Sequence, residues 1–137
     1  VFSGEGLKTL AKLQSDYYRE KAGEKFKEAT WQRLQTQPLR CSHVVAIGLA
    51  RHESVPEQEE IAALGCAMEN VYLGMAAHGV GGYWSTGGVT YYPGAQQLFG
   101  WGPGDKLMGF LFMGMIKTAP VERIPGSFNE KISWTKA

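Results

Sequence analysis

The spacing of apolar positions divides the chain into helices and strands. In residues 3–22, Leu7, Leu10, Leu13 and Tyr17 recur every three to four positions, which predicts a helix with Ser3 as its cap and Gly23 as its stop. A second helix is predicted over residues 24–35. Phe26, Ala29, Thr30, Arg33 and Leu34 lie on or near one face, the many charges mark a surface element, and Pro38 ends it. Residues 43–50, HVVAIGLA, show no alternation and read as a strand buried on both faces. After a polar loop over 51–55, Ser54, Pro56 and Glu57 have the spacing of a capping box. The long helix that follows carries an apolar stripe of Ile61, Leu64, Met68, Val71, Tyr72 and Met75, and Gly79 is placed to end it in the left-handed region. Residues 80–86 predict a strand broken by Gly87 and Gly88. A short helix over 95–99, a turn cluster over 100–105 and a very apolar strand over 106–116 complete the body. The tail contains Pro120 and Pro125 and a candidate edge strand over 131–134. The order helix, helix, strand, helix, strand, helix, strand, tail predicts one α+β domain over residues 1–137: a sandwich with helices covering a small sheet.

The central stretch, residues 59–87, organises the rest. Its helix is rich in small residues: Ala62, Ala63, Gly65, Cys66, Ala67, Gly74, Ala76 and Ala77. Each glycine lowers helix stability by roughly 1 kcal/mol relative to alanine, a loss that is offset where another backbone must come close. A helix apolar over most of its circumference is buried on more than one side. In a chain of 137 residues, a second copy is a natural source of that cover.

Composition narrows the function classes. A net charge of +1 gives no reason to expect a nucleic acid or membrane surface as partner. No apolar run reaches the length of a membrane span, and Lys8, Lys12 and Asp16 interrupt any early signal-like segment. The two cysteines, Cys41 and Cys66, fit reduced thiols in a cytoplasmic protein.

Polar chemistry is sparse. Gly79, Gly81 and Gly82 follow a helix and precede a strand, the reverse of a dinucleotide fingerprint. The cluster from Gly100 to Lys106 lacks the ending of a phosphate loop. His43, His52 and His78 have no metal-ligand spacing, so no metal is expected. Glu69 interrupts an apolar helix and reads as a partnered charge in an interface, while Glu59 and Glu60 suggest no more than a pair. Ser85 lies in Trp-Ser-Thr-Gly, not in a nucleophile elbow, and Cys66 and the methionines Met108, Met113 and Met115 read as packing. What remains is a small-faced helix, a glycine turn and an aromatic–polar triplet. That set suits a protein that binds and orients a cofactor carrying its own chemistry.

The run from Gly65 to Gly87, GCAMENVYLGMAAHGVGGYWSTG, resembles the FMN-dependent nitroreductase family, in its branch of small nitroreductases. A second marker, LFGWGPGDKLMGFLFMG from Leu98 to Gly114, matches the family's small helix, turn and glycine-ended strand. The resemblance implies a nitroreductase-like fold and a homodimer built on the central helix, with one FMN at each interface site. It implies NAD(P)H as reductant and a nitroaromatic, quinone or similar small molecule as acceptor, in a ping-pong scheme. By position, Trp84, Ser85 and Thr86 lie along the flavin, with a backbone N–H near Ser85 or Thr86 aimed at the reactive ring nitrogen, and no side chain is expected to be catalytic. Ala77, His78, Gly79, Val80, Gly81 and Gly82 are expected near the nicotinamide nucleotide. Arg123 is the expected phosphate-side cation, with Lys117 as its competitor. The family's basic N-terminal segment, which binds the FMN phosphate, is not present in residues 1–137, so the chain is expected to be an N-terminally truncated form of such a domain. Two alternatives stand beside this reading: a non-catalytic, cofactor-free dimer module of the same fold, or a flavin enzyme with other chemistry such as dehalogenation or flavin breakdown.

Overall fold

The computed structural model describes residues 1–119, 121–122 and 124–135. Four strands form one antiparallel sheet: β1 (Phe2–Ser3), β2 (His43–Leu49), β3 (Val80–Ser85) and β4 (Lys106–Met115), in the order β1-β2-β4-β3. Three helices, α1 (Glu5–Lys21), α2 (Glu28–Thr36) and α3 (Glu57–Ala77), cover it from two sides. The α+β expectation holds.

The two faces are unequal. On one, Leu7, Leu10 and Tyr18 of α1 and Leu34 of α2 pack with Val44, Phe110 and Phe112 of the sheet. On the other, α3 contributes only Met68 and Met75 as buried residues, against Leu111. Strand β2 is therefore not buried on both faces: Val44 and Leu49 are buried, whereas Val45, Ala46 and Ile47 are half-buried. The apolar stripe of α3 is likewise incomplete within one chain. Ile61 and Val71 are exposed, as is Leu73.

Several element ends differ from expectation, each for a physical reason. Ser3 does not cap α1, because it pairs with His43 as the end of β1 and the chain turns at Gly4, with φ of 52°. Helix α2 begins at Glu28, not residue 24. The Tyr18 hydroxyl accepts from the Lys27 N–H at 2.9 Å and donates to the Lys25 carbonyl at 3.3 Å, holding the preceding segment in a separate 3-10 turn, Gly23–Lys25. Ser54 and Glu57 form no capping box. Pro56 occupies the cap position, and the Glu57 carboxylate goes to Lys106 Nζ at 2.5 Å. The hydrogen bond from that lysine holds the Glu57 carboxyl below its ordinary pKa. Residues 131–134 form no strand. Met115, expected in the core, is exposed at the open end of β4.

One irregularity shapes the site. Ile47 pairs with Gly109 and Gly48 with Leu107, so Met108 is left over as a bulge in β4. It puts Leu107 and Phe110 on the same α1-facing side.

Candidate functional site

Among the described residues, strand β3 lies at an edge of the sheet, with β4 on one side and no strand on the other. In an antiparallel strand, successive N–H groups alternate between the partner and the open side. The Trp84 N–H faces the open side, where the hydroxyl of Tyr72 on α3 accepts from it at 2.7 Å. Thr86 lies just past the end of β3, and no described residue accepts from its N–H. The Trp84 indole N–H turns inward to the Met108 carbonyl at 3.0 Å, using the acceptor that the bulge withdraws from the ladder.

The turn after β3 is held at both ends. The Gly87 N–H donates to Ser85 Oγ at 3.4 Å, and the Thr90 hydroxyl donates to the Gly87 carbonyl at 2.9 Å. Val89 and Thr90 are buried and anchor the chain as it leaves. Gly88, with φ of +68°, lies where a Cβ would stand 2.9 Å from Leu34 Cδ2, so the last turn of α2 seats directly on this loop. Thr86 and Gly87 remain exposed. The result is a loop held by two hydrogen bonds, with a Thr86 N–H that has no described acceptor. Such a donor does not titrate and is already oriented, so it can stabilise negative charge on a bound group without reorganising.

Trp84, Ser85 and Thr86 are thus brought together at one end of β3. Ala77, His78, Gly79 and Val80 are not. Five residue steps of strand separate Val80 from Ser85, about 17 Å. Gly79 does end α3 in the left-handed region, with φ of +67°. Gly81 and Gly82 lie between the two ends, paired with Gly114 and Met113. A Cβ on Gly82 would fall 2.1 Å from Met75 Cε, so this glycine lets α3 press on the strand. Lys117 is exposed two residues past Met115, which pairs with Val80, and therefore lies at the far end as well. Arg123 lies outside the described residues.

Two residues that the sequence does not flag belong to this site. Tyr72 reads as one more apolar position of a helical stripe, yet its hydroxyl closes the edge of β3. Replacing it by phenylalanine leaves the Trp84 N–H without its partner. The loss is expected at about 1 kcal/mol, because water can reach this edge, and a urea midpoint measures it. Arg33 reads as part of a charged surface helix. Its guanidinium Nη2 stands 3.9 Å from the point where a Gly87 Cβ would be. The first contact spans 12 positions from helix to strand and the second 54, so no helical or strand spacing signals either. Among the described residues no cluster of three metal-ligating side chains occurs, and no helix is long and apolar enough to cross a membrane.

Comparison with known proteins agrees with this architecture. The sequence model of the nitroreductase family matches residues 2–115. Two curated relatives match, from Escherichia coli K12 and O157:H7, both carrying the provisional name NAD(P)H nitroreductase YdjA. Each is 30% identical over 84 residues, which is 60% of this chain and 46% of the relative. The matched region thus spans under half the length of those proteins. The crystal structure of a nitroreductase-like family protein from Bacillus cereus superposes with a TM-score of 0.80 at 22% identity, covering 99% of this chain and 71% of the other, which shows a shared fold. With the family match running from the first strand of the sheet to the end of β4, the chain belongs to the nitroreductase family.

Proposed function

We propose that the protein is an FMN-dependent oxidoreductase that passes hydride equivalents from NAD(P)H to nitroaromatic, quinone or similar small-molecule acceptors. The observation that carries this reading is the unpartnered Thr86 N–H at the open edge of β3, beside a Trp84 whose own N–H is already taken by Tyr72. These residues fit the edge of a flavin ring: a main-chain donor for a ring heteroatom, framed by a loop that does not need to move. Bound FMN supplies the two-electron chemistry. The chain's own residues bind and orient it. Tyr72 and the Met108 carbonyl fix Trp84 through its two N–H groups, and Ser85 and Thr90 hold the loop that carries the Thr86 N–H. No side chain needs to exchange a proton with the ring.

Ala77 to Val80 lie at the end of β3 opposite Ser85, on the approach from α3. We assign this segment to positioning the strand, through the Gly79 turn and the Gly82–Met75 contact. The uncovered apolar positions of α3 support a homodimer with that helix at its centre. Both cysteines are free thiols, which suits a cytoplasmic enzyme.

The test is direct. Full-length protein given FMN is expected to turn yellow, to bleach anaerobically on addition of NADH or NADPH, and to regain its colour with a quinone. A protein that stays colourless after incubation with FMN ends the proposal.

A further inference from the structure

We propose that Arg33 binds the phosphate groups of the nucleotide reductant at the rim of the loop over residues 85–88. The inference rests on the reading above, in which that loop carries the flavin. It begins from packing. Leu34 is buried against the loop at Gly88, which fixes the last turn of α2 there. Its neighbour Arg33 is carried to the adjacent position. Its Nη2 and the Ser85 Oγ flank the same bare backbone point at Gly87, at 3.9 and 3.8 Å from where a Cβ would sit.

Among the described residues the charge of Arg33 has no counter-ion. Among the described residues the ion pairs are Lys8–Glu5, Lys12–Asp16, Lys21–Glu20, Arg51–Glu60 and Lys106–Glu57, and Arg33 is in none of them. Of the other arginines on this side, Arg19 has its guanidinium 4.0 Å over the Trp31 ring, and Arg40 lies in the 3-10 turn Pro38–Arg40 beyond the end of α2. Arg33 is therefore an exposed cation, placed by helix docking next to a loop with a free main-chain donor. A guanidinium presents a fork of donors that matches phosphate. Of the two substrates, the reductant carries phosphates that are anionic at any pH near neutral, whereas a quinone acceptor is neutral. The same charge also meets the reductant earlier, by steering its approach.

The measurement compares wild type, Arg33→Gln and Arg33→Lys in the full-length protein. NADP+ binding is titrated by intrinsic tryptophan fluorescence at low and high salt, and FMN affinity is titrated separately. The half-reactions with NADPH and with menadione are followed by stopped flow. Arg33→Gln is expected to weaken NADP+ binding and slow reduction by NADPH about threefold to fivefold, the range of an exposed, screened ion pair. It is also expected to flatten the salt dependence, with the menadione step unchanged and lysine restoring part of the loss. Equal NADP+ affinity in wild type and Arg33→Gln overturns the proposal. So does a loss confined to FMN affinity, which would assign Arg33 to the flavin's own phosphate. A wild type that takes up no FMN removes the flavin reading. The NADP+ titration then still decides for or against Arg33.

Discussion

Gly109→Ala is expected to destabilise the protein far more than an alanine elsewhere in the same strand. At Gly109 a Cβ would lie 2.4 Å from the Ser85 carbonyl oxygen and 2.9 Å from the Trp84 indole nitrogen, and the backbone sits at φ of +120°. The first contact is with backbone and cannot be relieved by a rotamer change. A left-handed backbone costs a side-chain-bearing residue roughly 1–3 kcal/mol, and overpacking adds about 1–3 kcal/mol, so a loss of about 3 kcal/mol or more is expected. Gly114 is the internal control. It lies in the same strand at negative φ, and its Cβ would meet nothing closer than Ser42 at 3.9 Å. Gly114→Ala should stay within about 1 kcal/mol of wild type. Urea midpoints for the two variants decide the matter, and equal values would sink this account of the bulge. Because the clash is with Ser85, whatever folded Gly109→Ala remains should also hold FMN less well.

The same position shows why part of the site could not be read from sequence. Gly109 and the Met108 bulge are defined by which residues of β2 and β3 lie opposite, a pairing across more than 20 positions that no local pattern encodes. Strand β4 itself was legible because ten mostly apolar residues follow a turn cluster, and the 3-10 segment Ala95–Phe99 was legible because glycines with positive φ bound it on both sides. The stop of α3 at Gly79 was legible for the same local reason. Where a distant side chain intervened, local rules lost. Tyr18 delays the start of α2, and Lys106 draws Glu57 out of its capping box. The triplet Trp84-Ser85-Thr86 could be singled out by composition, but its partners Tyr72 and Arg33 come from two helices on opposite faces of the sheet. Only the folded chain brings them to one edge.

Gly74→Leu should have opposite effects depending on whether the outer face of α3 is covered. Within one chain nothing lies within 4 Å of a Cβ at Gly74 or at Gly65. A lone chain would therefore accept the leucine freely, and removing a helical glycine would raise its stability by about 0.8 kcal/mol. In the homodimer proposed above, the small residues of this helix admit a second backbone. A leucine of that size at Gly74 holds the two copies apart and strips cover from Ile61, Val71 and Leu73, all exposed in the single chain. The expected result is a shift from dimer to monomer by light scattering, with loss of FMN as the outcome expected of the proposed interface site. Cys66 offers a second reading of the same face. Its thiol is exposed in one chain, so it should react slowly with a maleimide in the dimer and quickly in Gly74→Leu, while Cys41, whose pKa burial pushes up, stays slow in both. An unchanged dimer carrying the leucine would mean that the subunits meet elsewhere, and the glycines of α3 would then need another explanation.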